Sequence, residues 1–238
     1  MNALLKAELL KLRTTRTFAV VVGVSALFSM LLAVLGATVE KDITAHELFT
    51  NNAITYVIVL LGAIGMTGEW RHRTITSTIL ASPDRVRLLS AKAIASAAAG
   101  VVLVFVVTVV TMIAGTIALK ASGHATLGVG GLSDVMWRNL AVAAVLGPFG
   151  VAIGALGRNQ IVTVVALIAV AAVLEPQLFA ASPTAGRFGP LSEAPTSVLG
   201  GSETAGMLAA GPALIVMMAW TAAAFGAAAV RLRNRDLV

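Results

Sequence analysis

The chain has 238 residues, of which 58% are hydrophobic and only 12% charged, and its mean hydropathy is +0.93. A soluble domain of this length does not carry so apolar a composition, so an integral membrane protein is expected. The absence of cysteine excludes disulfides, thiolate metal sites and a catalytic thiol, while the net charge of +6 is spread along the chain in a pattern that suits membrane orientation better than a polyanion partner.

Residues 1–17 are rich in helix formers, and Leu5, Leu9 and Leu12 recur with helical spacing while Lys6, Lys11 and Arg13 lie largely elsewhere. A short amphipathic helix on the inner membrane surface is expected, with a topology anchor as the alternative. A hydrocarbon core about 30 Å thick needs roughly 20 apolar residues of helix. Six segments come near that length: 18–38, 52–68, 93–119, 140–156, 161–174 with a continuation to 181, and 205–230. The first is too long for a secretory signal, and the basic residues before it favour a retained anchor. The whole is one membrane domain over 18–230, followed by a tail over 231–238.

The second and third spans are joined by a charged loop over 69–92. In it, Ile75 and Ile79 stand one helical turn apart among threonines and a serine, which predicts a brief helix with a small apolar ridge. Ser82-Pro83-Asp84 follows as a cap, a first-turn proline and an acidic residue for a fresh helix running into the third span near Lys92. Such a loop either receives a partner's push or only fixes topology. On the fourth span Gly147, Gly150, Gly154 and Gly157 make a small-residue face, and Pro148 can kink it. Close helix contact is expected there, within the subunit rather than across a dimer. Glu175-Pro176 interrupts the fifth apolar run, and a proline-broken, half-apolar segment over 175–204 follows, expected to be re-entrant or to rest on the membrane surface.

Charge sets the orientation. The N-terminal segment, the 69–92 loop, the turn at Arg158 and the tail hold 13 of the 17 basic residues, whereas seven of the 11 acidic ones fall on the opposite face. Both termini are therefore expected in the cytoplasm. Trp70 and Trp137 suit interfacial anchors on the two faces. Twelve arginines to five lysines in an alanine-rich chain hint at a bacterium with a GC-rich genome, and so at a bacterial plasma membrane.

Two acidic groups sit near the hydrocarbon edge, where a charge is costly and often functional. Glu69 is expected to pair with Arg71, Arg73 or a first-helix cation, linking loop to surface helix. Glu175 either meets substrate or protons in an outer pathway or is hydrated where its span ends, and hydration is the expectation. Other chemistry is missing. His46-Glu47 lacks the second histidine of a zinc-protease helix, His72 falls on the opposite face from His46 and His124, and no Gly-Lys-Ser/Thr phosphate loop occurs.

Glu8-Leu9-Leu10-Lys11-Leu12-Arg13 before the first span, and Glu69, Arg73, Thr74, Pro83, Arg85 and Lys92 in the loop, resemble the membrane subunits of ATP-binding-cassette exporters of the type-2 permease group, in their short bacterial form. Six spans, cytoplasmic termini and a long outer segment before the last span extend the likeness over essentially the whole chain. Arg73 stands where that family commonly has glycine. The resemblance implies an all-α six-span permease that pairs with a second permease subunit, as homo- or heterodimer, to form a pathway for a hydrophobic or amphipathic substrate. It also implies a pair of cytoplasmic ATPase subunits that bind ATP and magnesium, no cofactor in this chain, and contact through Glu8, Lys11 and Arg13 and through the loop helix near Ile75 and Ile79. A non-transporting immunity or sensor component with the same fold is the alternative.

Overall fold

The computed structural model describes residues 2–14, 16–40, 43–50, 52–72, 84–157, 159–200 and 205–234. These form helices α1 (Asn2–Thr14), α2 (Arg16–Val39), α3 (Ala45–Phe49), α4 (Asn52–Arg71), α5 (Arg85–Ala121), α6 (Val129–Gly157), α7 (Gln160–Ala169), a π-helical turn (Val170–Leu174), α8 (Glu175–Ala181), α9 (Pro183–Gly186), α10 (Glu193–Leu199) and α11 (Ala210–Arg233). Six runs are long and apolar enough to cross a membrane: α2, Ala45–Arg71, α5, α6, Gln160–Ala181 and α11. No strand occurs among the described residues. The chain is an all-α multi-pass membrane protein.

Side chains decide where several helices begin. Asp84 accepts hydrogen bonds from the Val86 and Arg87 amides at 3.1 Å each and so caps α5. The cap expected at Ser82 is therefore at Asp84, because this carboxylate reaches the two amides that open the helix. From there α5 runs 37 residues without a break. At 1.5 Å per residue that is about 55 Å, well beyond the roughly 30 Å of hydrocarbon. Asn159 caps α7 in the same way, and Thr44 with Glu47 forms a reciprocal capping box on α3.

The run interrupted in sequence at Glu175-Pro176 remains helical in the fold. The Glu175 amide bonds to Val170 O across the wider π turn, immediately before Pro176. A proline inside an α-helix clashes with the carbonyl four residues back, and the looser turn makes room for the ring.

Helix α6 is the hub, packing on α4, α5 and α11, while α2 lies along α5. Its glycine face explains the close fit to α4 and α5. A Cβ added at Gly147 would stand 2.7 Å from Ser96 O, and one at Gly154 would stand 2.7 Å from Ala63 O. One at Gly150 would collide with Val59 O, and one on Gly62 of α4 would collide with Gly147 O. Backbone therefore faces backbone within this subunit. Around the contact lies the main core, with Ile58, Val59, Val104, Val142 and Leu146 buried, and a smaller cluster of Ala37, Phe49, Leu119 and Val135 sits at one end.

Contacts sort the helix termini into two ends. At the first, Arg85 donates to Leu232 O at 2.6 Å, Arg231 to Leu156 O at 2.5 Å, and Arg71 approaches Gln160 Oε1 at 3.5 Å. At the second, Asn139 donates to Phe49 O at 3.2 Å and Arg138 to Val198 O at 3.0 Å. Half-buried Trp70 belongs to the first end and exposed Trp137 to the second. Arg158 lies outside the described residues.

Gly150→Ala should destabilise the fold by about 1–3 kcal/mol, the cost of overpacking a tight contact, whereas Gly226→Ala on α11, where a Cβ meets nothing within 4 Å, should be neutral. Thermal melts of the two detergent-purified variants measure the difference, and equal melting temperatures would contradict the backbone contact.

Candidate functional site

At the first end, four ionic side chains from three helices close into a ring. Glu8 and Lys11 share a face of α1 at i, i+3 spacing, and Lys11 Nζ lies 2.8 Å from Glu8 Oε1. Glu69 comes from the last turns of α4, and Lys92 stands eight positions beyond the Asp84 cap on α5. Lys92 Nζ lies 2.5 Å from Glu69 Oε1 and 3.1 Å from Glu8 Oε1, and Lys11 Nζ lies 3.2 Å from Glu69 Oε1. Charges alternate around the ring, so every edge is attractive.

Burial makes the arrangement consequential. The Lys92 side chain is only 5% exposed, Glu69 11% and Glu8 14%, while Lys11 at 54% faces outward. An ammonium so far withdrawn from solvent is poorly solvated, and two carboxylates compensate. Burial by itself pushes the Glu8 carboxyl up, but the charge of Lys92 and the hydrogen bond from Lys11 outweigh it and hold Glu8 below the ordinary carboxylate range. Burial likewise works against the Lys11 ammonium, and Glu8 followed by Glu69 raises it above its usual value.

Of the partners expected for Glu69, the first-helix cation is present as Lys11, whereas Arg71 turns toward Gln160. Lys92, not foreseen as a partner, makes the shortest contact in the ring. A single lysine at the head of an otherwise apolar run was the available signal, since such a group needs a counter-charge. The ring also selects the docked face of α1. Leu4, which shares that face with Glu8 and Lys11, packs against the main core, while Leu9 of the expected stripe is 39% exposed. Arg73, Thr74, Ile75, Ile79 and Pro83 lie outside the described residues, as does the side chain of Arg13.

At the second end Glu175 is a buried group and not the exposed span end expected from the sequence. It is 5% exposed, and its carboxylate accepts from the Leu191 amide at 3.0 Å, the Ser192 amide at 2.7 Å and Ser192 Oγ at 2.9 Å. The reason lies in the segment after it, which folds back so that α10 packs on α11, α6 and α4 and the two residues just before α10 bring their amides to the carboxylate. Glu193 next to Ser192 is also buried. Burial, partly offset by the Ser192 hydrogen bond and reinforced by the nearby Glu175 charge, holds its carboxyl above the usual range. Gly200 closes α10 with φ +123°, a conformation that favours glycine, against the His46 ring. His46 Nε2 lies 3.9 Å from Asp134 Oδ2 at this end, far from His72 at the other.

Gly150 and Gly154 face α4, as described, and Glu175 lies on a cavity of about 830 Å³ between α7 and α11 that is otherwise almost wholly apolar.

Compared with known proteins, residues 4–174 match a protein-family model described as "ABC-2 family transporter protein". That stretch runs from the first turn of α1 to the end of the π turn and contains the whole ionic ring. No curated protein matches the chain.

Lys92→Met should cost about 3–5 kcal/mol, because it removes the buried cation of the ring and leaves two buried carboxylates sharing only the outward-facing Lys11. Acid should weaken the same ring. A depressed Glu8 carboxyl contributes stability that is present above its unfolded value near 4.3 and lost as pH falls through the lower folded value. Melting temperatures below about pH 4 should thus fall more steeply for the natural chain than for Glu8→Gln, and parallel curves would remove Glu8 from the account.

Proposed function

Since this chain belongs to the ABC-2 family of transporter proteins, we propose that it is the permease subunit of an ATP-driven exporter, working with a second permease subunit and a pair of ATPase subunits on a hydrophobic or amphipathic substrate. The observation that carries this reading is the buried ring of Glu8, Lys11, Glu69 and Lys92, which ties α1 to the end of α4 and the start of α5. The basic end faces the cytoplasm, by the excess of lysine and arginine there. The ATPase pair docks on α1 and on the 69–92 loop, with Ile75 and Ile79 seated in a groove of that partner and Arg73, Thr74 and Pro83 taking part in the coupling.

In this mechanism the ring is a rigid joint. A displacement of α1 or of the loop moves Glu69 and Lys92 together, because separating them would strand charges in a poorly solvating place. Helix α4 then carries α6 with it through the glycine contacts at Gly150 and Gly154, and the pathway between two subunits changes its opening. At the outer end the carboxylate of Glu175 holds residues 191 and 192 folded back beside it, and in this reading the segment after Glu175 is the outer closure of the pathway. The phosphate-binding loop that energises the cycle belongs to the partner, as this sequence has no Gly-Lys dipeptide.

Orientation is checked by thiol labelling, for which a chain without cysteine is suited. In intact cells a cysteine at Ser122 should react with an impermeant reagent and one at Arg233 should not, and the reverse pattern would overturn the assignment. Coupling is checked with two variants of the assembled complex. Ile75→Asp with Ile79→Asp should weaken co-purification of the ATPase subunit by about tenfold, with membrane insertion intact. Glu69→Gln should keep the complex together and reduce substrate export per ATP hydrolysed. If both variants assemble and transport like the natural protein, the loop only fixes topology. If the complex assembles and hydrolyses ATP but moves no amphiphile, a non-transporting role replaces export.

A further inference from the structure

Between α2 and α4, consecutive spans that lean on different neighbours, lies a cleft of about 840 Å³. Its size is in the range of sites that hold small molecules, about 300–1,000 Å³. The ionic ring forms one end, with Glu8, Lys11, Glu69 and Lys92 all on its wall. From Glu69 the wall continues along α4 through Ile64 and Leu61 to Val57, faced by Phe18 and Val21 of α2. Charge is thus confined to one end, while the Ser96 hydroxyl, bonded to Gly147 O, is a polar group farther in.

Two dimensions identify what fits. From Glu69 to Val57 the helix rises about 18 Å at 1.5 Å per residue, close to half of the roughly 30 Å hydrocarbon thickness. The cleft is as deep as one leaflet, with its charged end where headgroups lie. Among the described residues the charges of the ring itself are balanced, two ammonium groups against two carboxylates, with the His72 side chain also at this end. An anionic head would be drawn to Lys11 and Lys92 but repelled by Glu8 and Glu69, whereas a head carrying both signs can align with both. We propose that the α2–α4 cleft is a binding site for one zwitterionic phospholipid of the bilayer, its head on the ionic ring and an acyl chain along α4.

Gly65 offers a way to close the cleft. It lines the space, and a Cβ there meets nothing within 4 Å, so the ring of Gly65→Phe would enter the cleft and not a packed core. Gly23→Phe on α2 is the control, since that glycine also has open space around it but is not on the cleft wall. The full chain, purified in lipid-free detergent, would be examined by native mass spectrometry with added phosphatidylethanolamine, phosphatidylglycerol or diacylglycerol. The expected result is one retained phosphatidylethanolamine per chain, with retention about tenfold weaker for the other two, abolished by Gly65→Phe and preserved in Gly23→Phe. A second measurement covers failure of the phenylalanine variant to fold: the fluorescence of Phe18→Trp, a nearly size-conserving change on the cleft wall in a chain whose other tryptophans are phenylalanine, should be quenched saturably by phosphatidylcholine with brominated chains. Equal retention by both glycine variants, a preference for the anionic or headless lipid, or non-saturating quenching would each overturn the proposal. Binding is read on this chain alone, so a negative result removes the lipid site and leaves the exporter reading standing.

Discussion

One buried ammonium organises the end of this protein at which α1 and the last turn of α11 lie. Lys92 belongs to an otherwise apolar helix and is almost wholly withdrawn from solvent, so it must be neutralised by protein. Glu69 from α4 and Glu8 from α1 do so, and Lys11 closes the ring between them. The requirement is directional. It settles which turn of α4 meets α5, and it chooses the face that the N-terminal helix presents to the bundle, so that Leu4 is drawn into the core while Leu9 is left exposed.

The interior depends on a different principle. In lipid, apolar side chains gain little by leaving their surroundings for one another, and helices associate through close packing. The glycines of α6 and Gly62 of α4 bring backbone to backbone at a depth where a single added methyl would collide with a carbonyl oxygen. Helix α6 is thereby bound to α4 along several turns, and α4 ends in the ionic ring. The charged end and the glycine face thus meet on one helix, α4.

The opposite end solves the same problem with the opposite sign. There a carboxylate, Glu175, is buried, and its charge is answered by the amides of Leu191 and Ser192 in place of a cation. Backbone donors can serve because the segment after α8 turns back on itself, and the proline-rich stretch becomes a folded layer packed against α4, α6 and α11. Irregular backbone at such a depth is tolerated where protein covers it. The π turn before Pro176 belongs to the same solution, since it keeps the fifth span helical up to the acid that anchors the fold-back.

Much of this architecture was legible in the sequence, because the bilayer imposes simple rules on composition. Apolar runs of sufficient length marked the six spans, and the glycines of 147–157 marked a close-packed face. The sequence also required that Glu69 find a cation. It could not say which, because a side chain's partner is set by how three helices meet, and Lys92 is 23 residues away in the chain while Lys11 is 58 away. The same limit explains Glu175. Next to a proline at the end of an apolar run it reads as a hydrated terminus, and only the return of residues 191 and 192 to its side shows a buried acid. Local chemistry determined which segments are helices and where charges are costly. The tertiary structure alone decided how each cost is met, since the groups that meet it come from elements distant in sequence.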